Sequence, residues 1–158
     1  MTFEPGKALV DWVVTVVQTF DAPRKVVFEA WIDPYHVAKW WGPRGFTAPR
    51  FEWDARPGGA IRIDMQGPDG VIHPMRGEIR EIVSPEKFIF ASIVDDADGN
   101  VIFEVLNTVT FDEHARKTTV SVDARITKAR PQAAAMAEGI ERHWTESLDR
   151  LQDLLPGQ

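Results

Sequence analysis

The chain has 158 residues, enough for one domain that buries a core without metal or disulfide staples, and its 44% hydrophobic and 27% charged residues are those of an ordinary soluble globule. A net charge of −6 with mixed signs argues against a phosphate-binding surface, so nucleic acid is not expected as a partner. Cysteine is absent, which excludes a disulfide framework, a thiolate nucleophile and a cysteine metal site.

In chain order, residues 1–11 read as an N-terminal extension, residues 12–155 as a single domain and residues 156–158 as a tail. Residues 12–20 are dense in β-branched and aromatic side chains and predict a strand. Asp21-Ala22-Pro23 then opens a short helix, with Asp21 or Ala22 as cap, Pro23 in the first turn, and Val27, Phe28 and Trp31 facing inward. Asp33-Pro34 opens a second short helix in the same way, ended by Gly42-Pro43.

A series of strands follows, separated by turn residues. Residues 51–55 are short and are broken by Pro57-Gly58-Gly59; Ile61, Ile63 and Met65 then alternate with polar residues at the period of a half-buried strand. Residues 71–83 form a longer strand with Pro74 and Gly77 as irregularities. Residues 87–94 and 101–111 pair across the Asp98-Gly99-Asn100 turn, and a polar loop over residues 112–117 leads to a last strand built on Val120, Val122, Ala124 and Ile126. Successive hairpins predict an antiparallel meander, which twists and curls at this length.

Residues 131–155 predict one long helix of about 36 Å. Met136, Ile140, Trp144, Leu148, Leu151 and Leu155 fall on one stripe, with Arg142, Glu146, Asp149, Arg150 and Asp153 opposite. Such a stripe needs a broad apolar surface, and the concave face of the sheet supplies it. The predicted class is therefore α+β: a curved antiparallel sheet of about seven strands wrapped on a long C-terminal helix, with two short helices after the first strand.

The segments Asp21-Ala22-Pro23, Val27-Phe28-Glu29-Ala30-Trp31, Asp33-Pro34 and Trp40-Trp41-Gly42-Pro43 resemble the opening of single-domain proteins related to the heat-shock-protein-90 ATPase activator, in the START/Bet v 1-like (SRPBCC) superfamily. Gly58-Gly59, Pro68-Asp69-Gly70, Gly77-Glu78 and the tryptophan-bearing final helix continue the likeness through nearly the whole chain. The resemblance implies a helix-grip fold. Members of that superfamily carry lipids, bind pigments or hormones, or cyclise polyketides. The co-chaperone activator has a further large domain that contacts the chaperone and has no counterpart in these residues, so chaperone regulation is implied by family name only.

No nucleophile elbow, phosphate-binding glycine loop or dinucleotide fingerprint is present, which removes the hydrolase, kinase and dehydrogenase readings and leaves no recognised catalytic residue. His36, His73, His114 and His143 lack metal-ligand spacing, so neither a metal nor another cofactor is expected. Six tryptophans are the unusual component: Trp31 and Trp40 suit a core, whereas Trp41, at a helix end, suits the mouth of a cavity. Asn107 shares the alternate face of Phe103, Val105, Val109 and Phe111, so burying those side chains buries an amide that must find a partner.

The expected function is binding of a small hydrophobic or aromatic molecule in a cavity between the sheet and the final helix. Its candidate lining is Trp41, Phe46, Trp53, Met75, Phe90, Phe103, Asn107, Ile140, His143 and Trp144, with Asn107 and His143 orienting a polar group. An enzyme of the cyclase/aromatase kind using the same cavity is the alternative, and it would need an acid or base inside. A protein-interaction domain with Trp41 and Phe46 exposed, as monomer or homodimer, is the third reading. No run approaches the roughly 20 apolar residues of a membrane span, and no basic segment followed by an apolar one opens the chain, so a cytoplasmic location is expected.

Overall fold

The computed structural model describes residues 9–155; the predicted tail, and residues 1–8 of the predicted extension, lie outside the described residues. Leu9, within that extension, is fully buried, and the Asp11 amide donates to the Ile126 carbonyl at 2.7 Å. Seven strands form one antiparallel sheet in the order β1-β7-β6-β5-β4-β3-β2. They are β1 (Val13–Phe20), β2 (Thr47–Trp53), β3 (Ala60–Gln66), β4 (Ile72–Val83), β5 (Lys87–Asp95), β6 (Val101–His114) and β7 (Lys117–Ala129). From β2 to β7 this is the predicted meander, and β1 closes it by pairing with β7 rather than with β2.

The two short helices are α1 (Arg24–Ile32) and α2 (Pro34–Trp40). Asp33 caps α2 as predicted, its Oδ1 accepting from the Tyr35 amide at 2.9 Å. The start of α1 differs from expectation, because Pro23 is itself the cap, extended at ψ 151°, and no side chain at positions 21 or 22 is needed. Its carbonyl accepts from the Val26 and Val27 amides. The free Arg24 amide is satisfied from a distance, by Glu113 Oε2 of β6 at 2.8 Å.

Two further expectations change. The polar loop over residues 112–117 shrinks to a two-residue turn, Ala115-Arg116, with φ of 52° and 66°, so β6 and β7 run on almost to each other. The sequence hid this turn because neither residue is the glycine or asparagine that such backbone favours. The single long C-terminal helix is instead a 3₁₀ turn (Pro131–Ala133), a short α3 (Ala134–Glu138) and the main α4 (Ile140–Leu154), parted at Gly139. At 1.5 Å per residue α4 is about 22 Å long.

Ile140, Trp144, Ser147, Leu148 and Leu151 form the buried face of α4. It packs against an aromatic core in which Trp31 stacks on Trp144, with centroids 5.6 Å apart and 20° between planes, and meets Trp40 at 4.7 Å. Trp31 and Trp40 are fully buried, as expected of core residues. Indole donors inside such a core need acceptors. Trp40 Nε1 donates to the Ala30 carbonyl at 3.1 Å and Trp53 Nε1 to the Trp31 carbonyl at 2.9 Å.

Candidate functional site

The Arg76↔Ile93 pair is the last between β4 and β5 toward one end of the sheet, so residues 72–75 of β4 continue without a β5 partner. Pro74, which lacks an N–H, stands in this unpaired stretch. There the sheet parts from the helical layer, and a cavity of about 460 Å³ opens between β3–β6 on one side and α3, Gly139 and the first turns of α4 on the other.

Trp41 forms the back wall. It is the cap residue of α2, and α4 holds it in place through four hydrogen bonds to its own and neighbouring backbone. Ser147 Oγ accepts from the Gly42 amide at 2.8 Å. Arg150 Nη1 donates to the Trp41 carbonyl at 2.8 Å and the Gly42 carbonyl at 3.0 Å, and its Nη2 to the Lys39 carbonyl at 2.8 Å. A cation thereby meets the carbonyl end of α2. Gly42, at φ 94°, makes the bend, and a Cβ there would run into the methyl of Met65, itself part of the wall.

Of the ten side chains expected at the site, the structure brings seven to the cavity: Trp41, Met75, Phe103, Asn107, Ile140, His143 and Trp144. Phe90 and Trp53 stand behind it as backing, Phe90 packing on Trp41 at 5.9 Å and Trp144 at 6.0 Å, and Trp53 on Trp41 at 5.4 Å. Phe46 lies outside, half-buried, 6.3 Å from the His73 ring. Sequence reasoning missed Met65, Ser92, Val94, Ile102 and Met136. Ser92 carried a signal, since it shares the strand parity of the buried Phe88 and Phe90.

Five polar side chains interrupt the apolar wall: Asn107, Ser92, His143, Asp95 and His73. Asn107 is 2% exposed, and its Nδ2 donates to Ser92 Oγ at 3.0 Å, with longer contacts to the Phe90 and Val105 carbonyls at 3.4 and 3.5 Å. His143 packs edge-on against Trp41 at 5.1 Å and Trp144 at 4.9 Å, and burial pushes its pKa from 6.5 down to about 4, so the imidazole is neutral at neutral pH. Asp95 stands at the rim, bound by Arg76 through Nε to Oδ2 at 2.6 Å and Nη2 to Oδ1 at 3.1 Å. That ion-paired hydrogen bond holds its carboxyl below the usual range. Among the described residues, no three His, Asp or Glu side chains stand close enough to share a metal ion. No helix there is long and apolar enough to cross a membrane.

An antiparallel sheet gripping a C-terminal helix, with a cavity left between them, defines a helix-grip domain of the START/Bet v 1-like kind. Solved structures agree. A protein from Chromobacterium violaceum superposes with a TM-score of 0.78 at 27% identity, over 90% of this chain and 95% of that one. One from Mycobacterium smegmatis gives 0.78 at 26% identity over 92% and 91%. The AHSA1 protein from Silicibacter pomeroyi shares the fold, with a TM-score of 0.75 at 21% identity over 90% and 96%. No functionally curated protein matches the sequence. The profile of the family described as Activator of Hsp90 ATPase homolog 1-like protein matches residues 21–156, and the chain belongs to that family.

Proposed function

We propose that this protein binds a small, largely apolar molecule in the cavity between the sheet and α4. The observation that carries the reading is a largely apolar-walled space of about 460 Å³ beside the aromatic core, larger than the second pocket of about 260 Å³ between α1, α2 and α4. A volume of that size lies within the roughly 300–1,000 Å³ range of small-molecule sites. The family's fold, whose members commonly bind hydrophobic ligands, supports it.

The cyclase/aromatase alternative gains one observation, ionisable side chains on the cavity wall, of which His143 is the one packed between the tryptophans Trp41 and Trp144. His143, however, with a pKa of about 4, is a weak base near neutrality and suits orientation better than proton abstraction. The interaction-domain reading loses an anchor, because Trp41 is only 3% exposed.

The test is titration with N-phenyl-1-naphthylamine, an uncharged probe whose emission rises in an apolar site. The wild type should bind it saturably, and Val94→Trp, which places an indole in the cavity, should weaken binding about tenfold or more. No saturable binding, or equal binding by both proteins, would refute the reading.

A further inference from the structure

Asn107 has one half of its amide committed and the other half free. The atom facing the Phe90 and Val105 carbonyls must be the nitrogen, because a backbone carbonyl can only accept. The amide's orientation is therefore fixed by chemistry, and Oδ1 is turned away from those carbonyls. Among the described residues Oδ1 has no hydrogen-bond partner, yet it is not sealed in protein: the sole sealed, unpartnered side-chain atom there is Trp31 Nε1. On a side chain that is 2% exposed and part of the cavity wall, Oδ1 meets the cavity.

Ser92 completes the pattern. Its Oγ accepts from Asn107 Nδ2 at 3.0 Å, and among the described residues its own proton has no acceptor. Oδ1 and Nδ2 are bonded to the same carbon, so the free oxygen and the serine hydroxyl lie close enough to bracket one ligand atom, the first as acceptor and the second as donor. An acceptor turned into an apolar cavity and left empty is unfavourable, and a ligand with a matching donor recovers that loss.

The charge around this pair is as informative. No lysine or arginine lines the cavity, His143 is neutral, and Arg76 spends its guanidinium on Asp95, whose carboxylate is itself on the lining; the other lining imidazole, His73, is a solvent-exposed residue of β4. A carboxylate brought to Asn107 loses water, finds no lysine or arginine on the wall and points a lone pair at Asn107 Oδ1.

We propose that the cavity selects an uncharged aromatic or alicyclic ligand whose polar end is a hydroxyl, donating to Asn107 Oδ1 and accepting from Ser92, and that it discriminates against the corresponding carboxylate. This rests on the cavity-binding reading above and adds the chemical class of the ligand to it.

The experiment is calorimetric titration at neutral pH with three probes of one ring system: naphthalene, 2-naphthol and 2-naphthoate. The expected order is 2-naphthol about tenfold tighter than naphthalene, with 2-naphthoate weaker than both. Asn107→Leu should abolish the preference for 2-naphthol over naphthalene. Ser92→Ala, at a half-buried position that tolerates truncation, should reduce that preference severalfold and decides the matter if the leucine variant does not fold. Naphthalene binding with no gain for 2-naphthol, or 2-naphthoate binding as tightly as 2-naphthol, would overturn the selectivity and leave the cavity reading standing. Failure of all three probes would overturn both.

Discussion

Trp144 and His143 are neighbours on one helix turn, and their packing has different consequences, mechanical for the indole and electrostatic for the imidazole. The indole of Trp144 is 2% exposed and stacks on Trp31, so its removal opens a hole in a rigid aromatic cluster. Trp144→Ala should lower unfolding free energy by about 3–5 kcal/mol in urea denaturation, and a negligible loss would mean that the ring is not part of the core. The imidazole of His143 is held neutral by burial, with a folded pKa of about 4 against 6.5 for the exposed group. The unfolded chain therefore takes up this proton first. Stability from this residue is fully present above pH 6.5, is lost as pH falls toward 4, and changes no further below 4. His143→Gln should flatten that slope in denaturation curves between pH 6.5 and 4, and identical slopes in both proteins would contradict the assignment. Asn107 was legible from sequence as a polar residue on an apolar strand face. Its orientation was not, because that depends on which carbonyls β5 and β6 bring beside it.

At the scale of elements, local pattern located every strand, and it erred where chain geometry is set by a single residue. The apolar stripe of Met136, Ile140, Trp144 and Leu148 continues at helical spacing straight through Gly139, so periodicity could not reveal the break between α3 and α4. Met136 consequently reaches the cavity wall and is 38% exposed instead of joining the packed face. Two glycines make the contrast testable. Gly139 has φ of −84°, and an added Cβ would meet only ordinary contacts at 3.5 and 3.7 Å. Gly139→Ala should stabilise the protein by about 0.5–1 kcal/mol through reduced unfolded-state freedom. Gly77 lies opposite Ser92 where β4 pairs with β5, and a Cβ there would collide with the Ala91 carbonyl oxygen. Gly77→Ala should cost about 1–3 kcal/mol, since the obstacle is backbone and cannot rotate aside. Thermal unfolding of the two variants should shift in opposite directions; equal shifts would mean that the β4–β5 pairing at Gly77 has room for a Cβ.

For the molecule as a whole, the alternation of strand residues and one amphipathic helix were enough to specify a sheet gripping a helix. The cavity was only partly legible. Strand parity says which side chains face inward, but not which of them the helices cover, so Phe90 and Trp53 were expected on the wall and stand behind it, while Val94 and Ile102 were overlooked. The opening lies where β4 and β5 both run on beyond their last pair, Arg76↔Ile93, a feature of register that no single strand displays. The methionines offer a direct probe of this cleft, because Met65, Met75 and Met136 all line it and are the methionines other than Met1. Protein carrying ¹³C-methyl methionine should be titrated with naphthalene and followed by NMR. The account predicts that these three methyl resonances shift together and saturably, and that each shows nuclear Overhauser contacts to the ligand's ring protons. Three unmoved resonances at ligand saturation, or contacts confined to other parts of the protein, would contradict it.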